Sequence, residues 1–132
     1  CRENDWKMEY ALRAILEYKK FIFLVCTSDK AQTPSDQVDR VWHLHLLYTQ
    51  SYWNEFCKGI LNKEIHHGPT KGVEERGLFK EQYSCTLGQY SQKFNEKPPS
   101  DIWPNPQKRI SEIHFSRVNR HRYWVIPKIK FN

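Results

Sequence analysis

Apolar residues recur at helical spacing along most of the chain, and three stretches align them on one face when each residue is rotated by about 100°. In the first, from about Asp5 to Cys26, Tyr10, Ala11, Ala14, Ile15, Tyr18, Phe21, Ile22 and Val25 share a face, while Glu9, Arg13, Glu17 and Lys20 gather opposite. The second runs from about Ser35 to Lys58; Pro34-Ser35-Asp36 supplies a capping start and Gly59 marks its stop. The third, from about Val73 to Phe94, aligns Phe79, Tyr83, Leu87, Tyr90 and Phe94, and Pro98-Pro99 closes it. Each stripe needs an apolar partner, so the expected fold is all-α, three main amphipathic helices around one core.

Past Lys97 the periodicity stops. Pro98, Pro99, Pro104 and Pro106 surround Trp103, which reads as an extended strap rather than a helix. The segment Arg122-Tyr123-Trp124-Val125-Ile126-Pro127 suits a short strand or an apolar strip laid on the helices. The expected organisation is a helical domain over 1–97, with the strap and a basic segment, 98–132, packed on it.

Length and composition narrow the class. A chain of 132 residues supports one core but not two, and 14% aromatic residues argue against disorder. The longest apolar run, Phe21 to Cys26, is far short of the ~20 residues a membrane span needs. No leader-like pattern opens the sequence. Cys1, Cys26, Cys57 and Cys85 are widely spaced, without the close pairs of a zinc knuckle or the density of a disulfide scaffold. The expectation is a reduced, cytoplasmic protein with Cys26 and Cys85 as buried thiols. The glycines form no phosphate-binding loop, so no nucleotide cofactor is expected.

Chemistry concentrates in the second helix, at Asp39 and Trp42-His43-Leu44-His45-Leu46-Leu47, and downstream at His66-His67-Gly68-Pro69. Residues two apart on a helix point about 200° away from each other, so His43 and His45 cannot share one ion. His45 falls among Val38, Val41, Tyr52 and Phe56, which predicts a buried neutral imidazole bonded to Tyr48, Thr49 or a tyrosine of another helix. His43 shares a stripe with Asp39 one turn earlier, an arrangement that suits two ligands of one divalent ion. Cys57 lies on that stripe too, but about 21 Å away by helical rise. A third ligand has to come from His66 or His67. The candidate site is therefore Asp39, His43 and His66/His67 holding zinc or a similar transition metal, with an open position for water or substrate. The competing interpretation is a surface Asp39–His43 hydrogen bond beside a polar loop.

The run Val38-Asp39, Trp42-His43-Leu44-His45-Leu46-Leu47, Tyr52 and Cys57 resembles the glycine-rich domain-containing-protein-like family of plants, fungi and bacteria. The further runs His66-His67-Gly68-Pro69-Thr70 and Pro98-Pro99-Ser100-Asp101-Ile102-Trp103-Pro104 look like its bacterial members. The resemblance spans about residues 5 to 106 and is most specific at W-H-x-H-L-L. It implies an intracellular helical module often joined to other modules, without implying a reaction. The family's W-H-x-H, Tyr and Cys positions fall on Trp42, His43, His45, Tyr52 and Cys57, whose apolar company favours an architectural role for His45 and Tyr52. This chain is glycine-poor and so lacks the region that gives the family its name.

The net charge of +6 sits entirely in residues 108–132, which carry seven basic side chains against Glu112 alone. Arg117, Arg120, Arg122 and Trp124 offer phosphate contacts with base stacking, or attachment to an anionic membrane or protein; pairing with acids such as Glu74 and Glu75 is the plainer alternative. A Cys–His nucleophile drawn from Cys57 or Cys85 with His66 or His67 has no motif behind it. Three functions stay open. They are a divalent-metal module whose bound water does hydrolytic chemistry, a protein-interaction module with structural histidines, and a nucleic-acid binder acting through the basic segment.

Overall fold

The computed structural model describes residues 6–68, 76–111 and 124. All regular structure among them is helical, in the order α1 (Met8–Thr27), α2 (Asp36–Leu47), a π-helix π1 (Gln50–Leu61), α3 (Arg76–Phe94) and α4 (Pro106–Ser111). None of these helices is long and apolar enough to cross a membrane. The predicted strip at 122–127 lies outside the described residues apart from Trp124, as do Cys1, the Glu74-Glu75 pair and the start of the third predicted helix at Val73.

Helix α1 buries Ala11, Ala14, Tyr18, Phe21 and Ile22 as its periodicity requires, and Leu24 as well. Two positions depart from the expected faces. Ile15 is 40% exposed, and Glu17, placed on the polar side by the pattern, is buried. The strap is what covers Glu17. It closes into a turn, with Trp103 N–H donating to Pro99 O at 2.7 Å, and lays Ile102, Trp103 and Pro104 into the core. The Trp103 Nε1–H donates to Glu17 Oε2 at 2.8 Å, and Lys20 Nζ reaches Glu17 Oε1 at 3.0 Å. Phe21 lies between Trp42 and Trp103, at centroid distances of 5.5 and 6.3 Å. Tyr83 and Tyr90 of α3 close on the other side of Trp103, and Tyr83 Oη donates to Pro104 O at 2.8 Å.

Ser35 caps α2 as expected: its Oγ accepts from Val38 N–H at 3.2 Å. The continuous helix expected from Ser35 to Lys58 does not form. It breaks at Tyr48, whose N–H bonds back only three residues to His45 O, and the chain resumes as π1. Gly59 is not the stop; π1 runs through it and ends at Asn62, which takes the left-handed conformation at φ 49°. The wider winding changes which residues share a face. In an α-helix five residues turn the chain about 500°, leaving Tyr52 and Cys57 far apart in azimuth. An i→i+5 ladder stacks them, and both are fully buried. Cys57 therefore belongs to the core and not to the His43 stripe.

A short helix was also missed after the strap. Pro106 occupies the first turn of α4, and Asn105 accepts from Lys108 N–H at 2.8 Å. Arg109, counted above with the basic segment, is folded inward at 7% exposure, with Nη1 on Asp36 Oδ1 at 2.7 Å. Of the expected buried thiols, Cys26 and Cys85 are only partly buried.

Candidate metal centre

Three side chains meet at one end of α2. Asp39 and His43 lie one turn apart, and His67 arrives from the loop that follows π1. His67 Nε2 is 2.7 Å from Asp39 Oδ1, and His43 Nδ1 is 3.2 Å from Asp39 Oδ2 and 2.9 Å from the Asp39 carbonyl. The two imidazole rings stand edge to face at 4.3 Å. One ligand atom from each residue lies within 4.8 Å of the other two. Bonds of ~2.0–2.2 Å to a shared ion require donor separations of roughly 3.5 Å. Hydrogen bonding with Asp39 raises the His67 pKa above its ordinary value of 6.5 although burial opposes it.

Of the two histidines offered by the sequence, only His67 joins the cluster. The His66 side chain is 75% exposed, 3.7 Å from Glu64 and tilted against the Trp53 ring. No thiol joins the cluster among the described residues. Arg117, Arg120 and Arg122 lie outside the described residues, and Trp124 is 95% exposed.

The loop carrying His67 is held from below. Trp42 Nε1–H donates to Tyr52 Oη at 2.9 Å, and Tyr52 Oη donates to Ile65 O at 2.6 Å. This buried relay ties α2 and π1 to the backbone two residues before His67, and the Trp42 ring lies 4.5 Å from the His67 ring. Burial pushes the Tyr52 hydroxyl up to about 12, so it remains a donor across the physiological range. Trp42 and Tyr52 thus hold the loop that carries His67. Tyr52→Phe leaves a buried carbonyl and an indole N–H unsatisfied, with an expected cost of about 1–3 kcal/mol in urea unfolding. Unchanged stability would show that the loop is held by other means.

His45 meets a tyrosine of another helix, as expected, but is only partly buried rather than buried. Its Nδ1 is 3.0 Å from Tyr18 Oη of α1, and its ring packs 5.0 Å from both Tyr52 and Phe56. Burial lowers its pKa below the ordinary 6.5. An unfolded chain then binds a proton that the fold resists, so this contribution to stability falls as pH drops below 6.5 and levels off at the lowered pKa. The raised His67 acts in the opposite window: its contribution is complete below 6.5 and is lost as pH rises through its folded pKa. Urea midpoints measured against pH are expected to lose their slope just below 6.5 in His45→Gln. An unaltered acid limb would exclude His45 as its source.

The cluster opens onto a cavity of ≈ 510 Å³. Its lining includes Thr33, Trp42, Phe79, Gln82 and Arg109 beside Asp39, His43 and His67. Arg109, Phe79 and Gln82 were not singled out by motif. The signal for Arg109 was the Asn105-Pro106 pair, a cap followed by a first-turn proline.

Residues 5–88 match the profile of a family described as UCP032817-like. Glycine-rich domain-containing protein 2 of Arabidopsis thaliana is 26% identical over 90 residues, covering 64% of this chain and 11% of that protein. The chain thus spans about a tenth of the length of the curated relative it matches. No solved structure is significantly similar to it.

Proposed function

The chain belongs to the UCP032817-like family, and from that premise we propose that its helical module binds a divalent transition metal, zinc first, through Asp39, His43 and His67. One observation carries the reading: three donors from two separate stretches of chain converge within 4.8 Å at the wall of an open cavity. The donor set supports it. Two imidazoles and a carboxylate suit zinc, and three protein ligands leave a position facing the cavity for water or another ligand. The i,i+4 pair on α2 and the relay beneath His67 fix two of the three directions in advance, which lowers the ordering cost of coordination.

The test is zinc titration of untagged, chelator-treated protein with calorimetric readout. One equivalent is expected in the wild type and none in His43→Ala. Absence of zinc binding in the wild type rejects the reading and leaves Asp39, His43 and His67 as a clasp for the loop within a non-catalytic module.

A further inference from the structure

The cavity beside the metal cluster has a second charged group in its wall. Arg109 is 7% exposed, and its guanidinium is fixed on both sides: Nη1 lies 2.7 Å from Asp36 Oδ1 and Nε–H donates to Pro34 O at 3.4 Å. Among the described residues these contacts engage Nη1 and Nε, and Arg109 lines the cavity. Such a group is ordered before any ligand arrives, so little side-chain entropy remains to be lost on binding. Gln82 and Thr33 line the same wall and are bonded to each other at 3.3 Å. Trp42, Pro34 and Phe79 give the cavity apolar surface as well.

Resting on the metal reading above, we propose that this cavity takes a small organic monocarboxylate, one oxygen toward the ion at Asp39, His43 and His67 and the other toward Arg109. The charge balance selects the class. Counted over these described groups, a divalent ion, neutral histidines, Asp39, Asp36 and Arg109 leave one net positive charge. A carboxylate neutralises it, whereas a phosphate dianion leaves an excess negative charge in a partly enclosed site. The volume points the same way. At ≈ 510 Å³ the space exceeds what a bare inorganic anion fills, and aromatic walls suit an apolar body attached to the carboxylate.

Benzoate is the probe. Titrated into the zinc-loaded protein, it is expected to bind at one equivalent, and in the cobalt-substituted protein it is expected to shift the visible absorption bands as a carboxylate enters the coordination sphere. Arg109→Lys keeps the charge facing Asp36 but removes the planar fork, and is expected to weaken benzoate roughly tenfold while zinc affinity stays unchanged. Zinc binding without any benzoate response overturns this inference alone; failure to bind zinc overturns the metal reading and this inference with it. Inorganic phosphate binding as tightly as benzoate overturns the choice of a monocarboxylate. Should Arg109→Lys lose helicity by circular dichroism, the wild-type cobalt spectrum decides.

Discussion

With zinc held as proposed above, Asp39→Ala is expected to lower zinc affinity by more than about 100-fold, a larger loss than removal of a supporting contact around a metal, for which 10–100-fold is usual. Asp39 is the hub of the cluster: it faces His67 at 2.7 Å and His43 at 3.2 Å, and it supplies the only negative charge among the three donors. Its removal leaves two imidazoles without the group that orients them. The cost to the fold is smaller. The side chain is 27% exposed, and losing the contact to His67 together with a favourable charge in the first turn of α2 is expected to cost about 1 kcal/mol. Asp39→Asn separates the roles, because an amide still bonds to His67 but no longer offers an ionised oxygen. Calorimetric zinc titration beside urea unfolding should show near-native stability with strongly weakened binding in Asp39→Asn. Zinc bound equally well by both variants would remove Asp39 from the site.

The second large effect belongs to the strap. Trp103→Ala is expected to cost about 3–5 kcal/mol, the range for removing a large buried aromatic side chain. Trp103 is 3% exposed and packs against Phe21, Tyr83 and Tyr90, so its loss leaves a void where α1, α3 and the strap meet. It also strips Glu17 of its indole donor, leaving that buried carboxylate to Lys20 and Tyr90. Against a typical domain stability of about 5–15 kcal/mol, such a variant is largely destabilised at ordinary temperatures. Trp103→Phe keeps most of the packing and removes the N–H, so the difference between the two separates burial from the bond to Glu17. Urea unfolding provides both values. A loss below about 1 kcal/mol in Trp103→Ala would mean that the strap merely lies over a core that is complete without it.

The surface bond between Arg13 and Asp101 belongs to the same strap but carries less weight. Its two contacts of 2.8 Å join side chains that are about half exposed, and exposed pairs of this kind add little to stability. The strap is anchored by the buried indole and the apolar residues beside it.

Much of the architecture is legible in the order of the residues, for a physical reason. Amphipathic spacing is local, and a helix that must hide an apolar stripe declares its face in sequence, as α1 does from Ala11 to Ile22 and α3 does at Tyr83 and Tyr90. The Ser35 cap and the inward turn of His45 toward a tyrosine of another helix follow from equally local rules. The opposed directions of His43 and His45 need only the helical period.

What the order of residues left open depended on partners distant along the chain. Glu17 is buried because Trp103, 86 positions later, comes to rest over it. Cys57 moved into the core because the backbone rewinds as a π-helix after Tyr48, a change of pitch that composition does not announce. Arg109 left the basic segment because Asp36 lay within reach once α4 had folded back to the start of α2. The sequence by itself determined the amphipathic helices α1 and α3, the start of α2 and the pairing of Asp39 with His43, and it offered His66 and His67 as neighbours for that pair. Only the tertiary structure decided between those two neighbours. The bond from Tyr52 to the Ile65 carbonyl fixes how the loop returns, and that return turns His67 toward Asp39 and leaves His66 facing solvent.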